Sequence, residues 1–96
     1  MKHCLGLLTV ELFLDDSHSL KDRRRIIGSL KERLRQRFNI SVAEADFGDK
    51  WQRGGLIISC AGAAPSVAEE TLRAVAQFIE NDPRVMAITP ELRFYE

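Results

Sequence analysis

The sequence predicts an α+β fold in which two helices cover one face of a four-stranded antiparallel sheet, in the order strand, helix, strand, strand, helix, strand. Three observations predict it. Apolar residues alternate with a period of two at the start of the chain, in Leu8, Val10, Leu12 and Leu14. The period changes to that of a helix after Ser19, and the strand-to-helix change recurs after Ala61. The chain is 96 residues long and 45% hydrophobic, which fits one domain spanning residues 1–96 with its own core. Charged residues of both signs make up 29%, with no Pro- or Ser-rich tract, so long disordered segments are not expected.

The first strand is expected over Leu5–Leu14, with Leu8, Val10, Leu12 and Leu14 toward the core. Leu5, Leu7 and Phe13 then occupy the other face, so this strand is central or covered by a partner. After a connection over Asp15–His18, Ser19 can accept from a free amide of the first helical turn, with Asp22 three residues on as in a capping box. The helix runs to Phe38 and places Ile26, Ile27, Leu30, Leu34 and Phe38 on its core side. A second strand follows over Asn39–Asp46, a turn over Phe47–Lys50, and a third strand over Trp51–Ala61 that is weakened at Gly54 and Gly55. Gly62–Pro65 breaks the chain. Ser66 and Glu69 repeat the capping signal for a second helix over Val67–Glu80, with Ala68, Leu72, Val75 and Ile79 on its core side. Asn81, Asp82 and Pro83 end that helix, and a fourth strand is expected over Arg84–Thr89, stopped or made an edge by Pro90.

With right-handed crossovers these elements form a ferredoxin-like βαββαβ plait, whose first and third strands are antiparallel central neighbours. Cys4 and Cys60 then lie at one end of the sheet on the core face, and are expected to be reduced core thiols. The sheet's other face has no helix over it. Leu5, Leu7, Phe13 and Ile57 would be exposed there, and such a patch marks an interface. Self-association is expected, as a homo-oligomer and most simply a dimer.

The first helix carries the clearest functional signal. Between Ser19 and Arg37, eight basic residues stand against two acids, Asp22 and Glu32, a local charge of +6 in a chain whose total is zero. Projected at about 100° per residue, Lys21, Arg25 and Arg35 face outward with Arg24 and Lys31 at their margin. This row is the expected contact to successive phosphates of RNA or a ribonucleoprotein, salt-sensitive and without base specificity. The plain alternative is a solvated helix face. Arg23 projects toward the sheet instead, and an ion pair with Glu44 at the end of the second strand would account for both residues. Trp51–Ile58 lacks the aromatic pattern of an RNA-recognition sheet, so binding is expected to use the helix.

Ser19, Leu20, Lys21, Arg23 and Arg24, then Asn39–Glu44 after Phe38, then Asp49, Trp51, Gln52 and Arg53, resemble the YlxP-like family of small bacterial proteins, and the likeness extends along essentially the whole chain. The resemblance implies a ferredoxin-like fold and no established catalytic activity. Its association with translation and ribosome-maturation genes points toward RNA contact. Arg23 stands where lysine is usual in that pattern.

Other chemistries find little support. Glu44, Asp46 and Asp49 could hold a hard cation or act as an acid–base pair, but read more simply as strand-end and turn charges. His3 and His18 have no ligand spacing around them, no GxSxG elbow surrounds a serine, and Gly54–Gly55 makes no phosphate loop. No metal, cofactor or enzymatic activity is expected. The apolar run Cys4–Val10 is too short to span a bilayer, which needs about 20 residues. No small-residue cleavage site follows it, so the protein is expected in the cytoplasm, away from membranes.

Overall fold

The computed structural model describes residues 1–96. The elements follow the expected order: β1 (Cys4–Phe13), α1 (Leu20–Arg37), β2 (Ser41–Glu44), β3 (Arg53–Gly62), α2 (Pro65–Glu80) and β4 (Ala87–Tyr95). The sheet order is β2-β3-β1-β4 and every pairing is antiparallel, the ferredoxin-like plait. β1 is central. It pairs with β3 from Cys4↔Gly62 to Phe13↔Arg53, and with β4 from Leu5↔Tyr95 to Phe13↔Ala87.

Burial alternates along β1 as its sequence requires, with Leu8, Val10 and Leu12 inward and Thr9, Glu11 and Phe13 outward. α1 packs over β2 and β3, and α2 over β1, β3 and β4. Eighteen buried residues form one core, in which Leu8, Leu12, Leu30, Leu34, Ile58, Leu72, Val75 and Ile79 are fully enclosed. Each fully buried aliphatic side chain contributes about 1.5–3 kcal/mol relative to exposure. Two glycines allow the close fit of helices on sheet. A Cβ on Gly6 would stand 2.8 Å from Leu72 Cδ1, and one on Gly54 would stand 2.9 Å from Ile27 Cδ1.

Element ends differ from expectation where local bonding overrides periodicity. Ser19 caps α1, its Oγ accepting from the Asp22 amide at 3.0 Å. The Asp22 carboxylate reaches back one residue further than in a capping box, accepting from the His18 amide at 3.1 Å. α2 begins at Pro65 without a side-chain cap, and the expected Ser66–Glu69 box is not formed. Pro65 at the first helical position has no N–H to satisfy and a preset φ, and Glu69 instead accepts from Arg73 Nε at 2.7 Å. β2 is only four residues long. Beyond it the Asp46 side chain accepts from the Gly48 amide at 2.8 Å and Gly48 turns with φ +59°, which takes the chain away from the ladder. β4 starts three residues later than expected and runs through Pro90, which an edge strand tolerates because its outer side needs no donor.

Cys4 and Cys60 are buried free thiols. Burial, reinforced by the neighbouring Cys4, pushes the Cys60 thiol above its ordinary value. No helix is long and apolar enough to cross a membrane.

Gly6→Val should lower unfolding stability by about 1–3 kcal/mol, the cost of overpacking a tight core contact, in urea titrations followed by circular dichroism.

Candidate nucleic-acid interface

α1 forms because its apolar residues recur at helical spacing under a capped start, and that spacing leaves its basic residues to three different environments. The structure sorts them by partner. Arg23 lies toward the sheet, as expected, but does not meet Glu44. Its Nη1 donates to the Lys50 carbonyl at 2.6 Å and its Nη2 to the Gly48 carbonyl at 3.1 Å, while Glu44 stays exposed and joins none of the ion pairs. The turn after β2 carries its carbonyls to the start of α1 and supplies the guanidinium with neutral acceptors. The expected Arg23–Glu44 pair is replaced by this clamp between helix and turn.

Arg33 belongs to a second environment centred on Asp82, whose side chain is only 1% exposed. The Asp82 carboxylate accepts from Arg33 Nη1 at 3.1 Å, from the Arg84 amide at 2.9 Å, and from Arg84 Nε and Nη2 at 3.0 and 2.9 Å. Arg84 Nη2 also donates to Ser29 Oγ at 3.2 Å, so one carboxylate joins α1 to the connection between α2 and β4. Hydrogen bonding from Arg84 holds the Asp82 carboxyl below its ordinary value despite burial, and Asp82 in turn raises Arg84. In the sequence Asp82 stands as part of a helix stop. Its only local signal is the Asn-Asp-Pro run, which says nothing about burial.

Aromatic rings occupy the end of α1. Phe38 and Phe78 meet edge to face with centroids 6.0 Å apart, and the guanidinium carbons of Arg33 and Arg37 stand 5.2 and 5.5 Å from the Phe78 centroid. Both arginines are therefore drawn toward α2.

The remaining basic residues are those the helical projection turned outward. Lys21, Arg24, Arg25 and Arg35 are exposed and Lys31 is half-buried. Arg25 reaches Asp22 at 3.4 Å, a weak contact with 74% of the arginine side chain in solvent. Arg35 Nη2 donates to the Val42 carbonyl at 3.3 Å, which leaves its charge unneutralised. Lys21, Arg24 and Lys31 join no ion pair. Glu32 stands exposed on the same side and dilutes the positive row.

On the helix-free face of the sheet, Leu5, Leu7 and Phe13 of β1 share a side with Ile57 of β3. Leu5 and Ile57 are exposed as expected, but Leu7 and Phe13 are half-buried, and Glu11, paired with Arg53 at 3.4 Å, stands between the Ile57 level and Phe13. Tyr95 of β4 is 51% exposed beside Leu5, because β4 continues through Pro90 as an edge strand, the second of the two outcomes open for that proline. At the Phe13 end a shallow pocket of about 500 Å³ is lined by Phe13, Lys50, Trp51, Gln52 and Arg53. The carboxylates Glu44, Asp46 and Asp49 do not assemble, since Asp46 is occupied by the Gly48 turn, and no three His, Cys, Asp or Glu side chains are grouped to hold a metal ion.

Residues 5–91 match a family described as protein of unknown function, DUF503. The uncharacterized protein YlxP of Bacillus subtilis (strain 168) is 28% identical over 81 residues, covering 84% of this chain and 88% of that protein. Among solved structures, the de novo designed protein Foldit4 superposes with a TM-score of 0.58 at 10% identity, over 99% of this chain and 98% of its own. A de novo designed protein with a ferredoxin fold, LFR1 1, superposes at 0.57 with 16% identity, over 97% and 86%. At these identities the likeness shows the fold alone.

Asp82→Asn should destabilise the protein by about 2–3 kcal/mol, since charge-assisted hydrogen bonds are lost while the half-exposed arginines can turn to water. Because the folded carboxyl titrates below its ordinary value of 3.8, its contribution is complete above that value and disappears as pH falls through the folded one. Urea titrations from pH 7 to pH 2 should show the gap between wild type and variant closing only below about pH 4.

Proposed function

The chain belongs to the DUF503 family, whose members are described as proteins of unknown function, and from that premise we propose that it is a non-enzymatic module that binds RNA or a ribonucleoprotein through the basic face of α1. The observation that carries this reading is the division of the helix's charges. Arg33 is committed to Asp82 and Arg23 to loop carbonyls, whereas Lys21, Arg24, Lys31 and Arg35 keep their charge without a carboxylate partner. An exposed row of this kind is attracted to a polyanion. At 1.5 Å per residue, Lys21 to Arg35 spans about 21 Å, room for several phosphates of one strand. A row of this spacing suits contact to successive backbone phosphates, which answers to salt.

A second reading, self-association through the sheet face, is favoured by the exposure of Leu5, Ile57 and Tyr95, at 49%, 39% and 51%. The paired charges Glu11–Arg53 and Glu91–Arg93 would border a dimer there. Solution scattering should give a mass that doubles with rising concentration, and a monomer throughout would remove this reading.

For the first reading, fluorescence anisotropy with a labelled RNA hairpin at low ionic strength should show binding that weakens with salt. The slope of log K against log salt should be negative, at roughly −0.7 to −0.9 for each phosphate engaged. The double variant Arg24→Glu with Arg35→Glu should bind at least tenfold more weakly with an unchanged circular dichroism spectrum. Absence of any salt-dependent binding by the unmodified protein would refute the reading.

A further inference from the structure

The pocket at the Phe13 end of the open sheet face has the makings of a second binding site, of different chemistry from the helix. Trp51 is 52% exposed, although an indole of this size gains much from burial. The backbone around it is nevertheless tightly held. The Gln52 carbonyl accepts from the Leu14 amide at 2.9 Å, Gln52 Nε2 donates to the Asp15 carbonyl at 3.2 Å, and the Lys50 carbonyl accepts from Arg23. The ring is thus presented from a braced segment.

Beside it, β1 and β3 place Phe13 opposite Arg53, whose guanidinium carbon stands 4.7 Å from the Phe13 centroid. The contact of Arg53 with Glu11 is through Nε, at 3.4 Å, which leaves Nη donors for a ligand. Lys50 supplies a cation with no carboxylate partner. The pocket thus combines an exposed π-face, a stacked guanidinium and an ammonium within about 500 Å³, a volume in the range of small-ligand sites. A flat aromatic ring that also carries a phosphate satisfies all three.

We propose that this pocket binds one unpaired nucleotide of single-stranded RNA, its base stacked on Trp51, its edge met by Arg53 and its phosphate by Lys50. The site rests on the RNA-binding reading and deepens it. Arg23 ties the turn that carries Lys50 to the first turn of α1, so the pocket and the start of the basic row are fastened to one another. The helix then supplies strength without sequence preference, and the pocket supplies a preference for unpaired over duplex RNA.

Trp51 is the sole tryptophan, so its fluorescence reports on the pocket alone. The full chain would be titrated with a heptamer of uridine, a duplex of equal length and uridine monophosphate, with anisotropy of labelled strands followed in parallel. The heptamer and the mononucleotide should quench Trp51 and the duplex should not. Trp51→Ala should weaken heptamer binding roughly five- to hundredfold, the range for losing one base–aromatic stack, and Trp51→Phe should restore most of it. Uridine monophosphate should still quench in the Arg24→Glu with Arg35→Glu variant. Heptamer binding without quenching, or an unchanged affinity in Trp51→Ala, would overturn the pocket and leave the helix reading standing. Quenching by the mononucleotide with no duplex or hairpin binding would support the pocket and remove the helix, and no binding of any probe would remove both.

Discussion

Two neighbours hold β1 in register, β3 along ten paired positions and β4 along nine, and the rest of the molecule depends on that pairing. Side chains alternate across a strand, so a slip of one residue would exchange Leu8, Val10 and Leu12 for Thr9, Glu11 and Phe13 beneath the helices. Glu11 would then be taken out of water away from Arg53, while three apolar side chains would enter solvent. The same register brings Gly6 under Leu72 and Gly54 under Ile27, where an added side chain would force those helix side chains to shift. It also sets Phe13 opposite Arg53 at one end of the open face.

Once the helices are seated, the Asp82 carboxylate takes one arginine of α1, Arg33, out of the outward basic row. It is enclosed and receives Arg33 from α1 and Arg84 from its own turn. A buried ion pair adds little net stability, because desolvation offsets attraction, but breaking it strands a charge. Its consequence here is positional. Arg33 is drawn toward α2, Arg37 settles over Phe38 and Phe78, and the outward row is left with Lys21, Arg24, Arg25, Lys31 and Arg35. The +6 of the helix is therefore not one surface.

Arg23 joins the two surfaces proposed to meet RNA. Its bonds to the Gly48 and Lys50 carbonyls fasten the turn bearing Trp51 to the start of the basic row. A neutral acceptor set leaves the guanidinium charge in place, whereas the expected pairing with Glu44 would have cancelled it. Lys50 in the pocket carries a further cation without a carboxylate partner, whereas Arg53 is paired with Glu11.

Much of the fold was legible because it follows from short-range periodicity. The alternation in β1, the helical spacing of Ile26, Ile27, Leu30 and Leu34, and the Ser19 cap each involve residues a few positions apart, and together they imply the plait. The outward basic row was legible for the same reason. Element ends were less so, since Pro65, the Asp46–Gly48 turn and the edge position of β4 act through bonding that periodicity does not report. What only the tertiary structure decided are contacts between residues far apart in the chain. Arg33 and Asp82 are 49 positions apart and Arg23 and Lys50 are 27, so no local pattern links them. The sequence by itself determined which residues could face the core and which helix face could be basic. Strand register and helix seating then selected which charges are neutralised and which aromatic rings share a pocket, because those outcomes depend on distances that exist only after the sheet has formed.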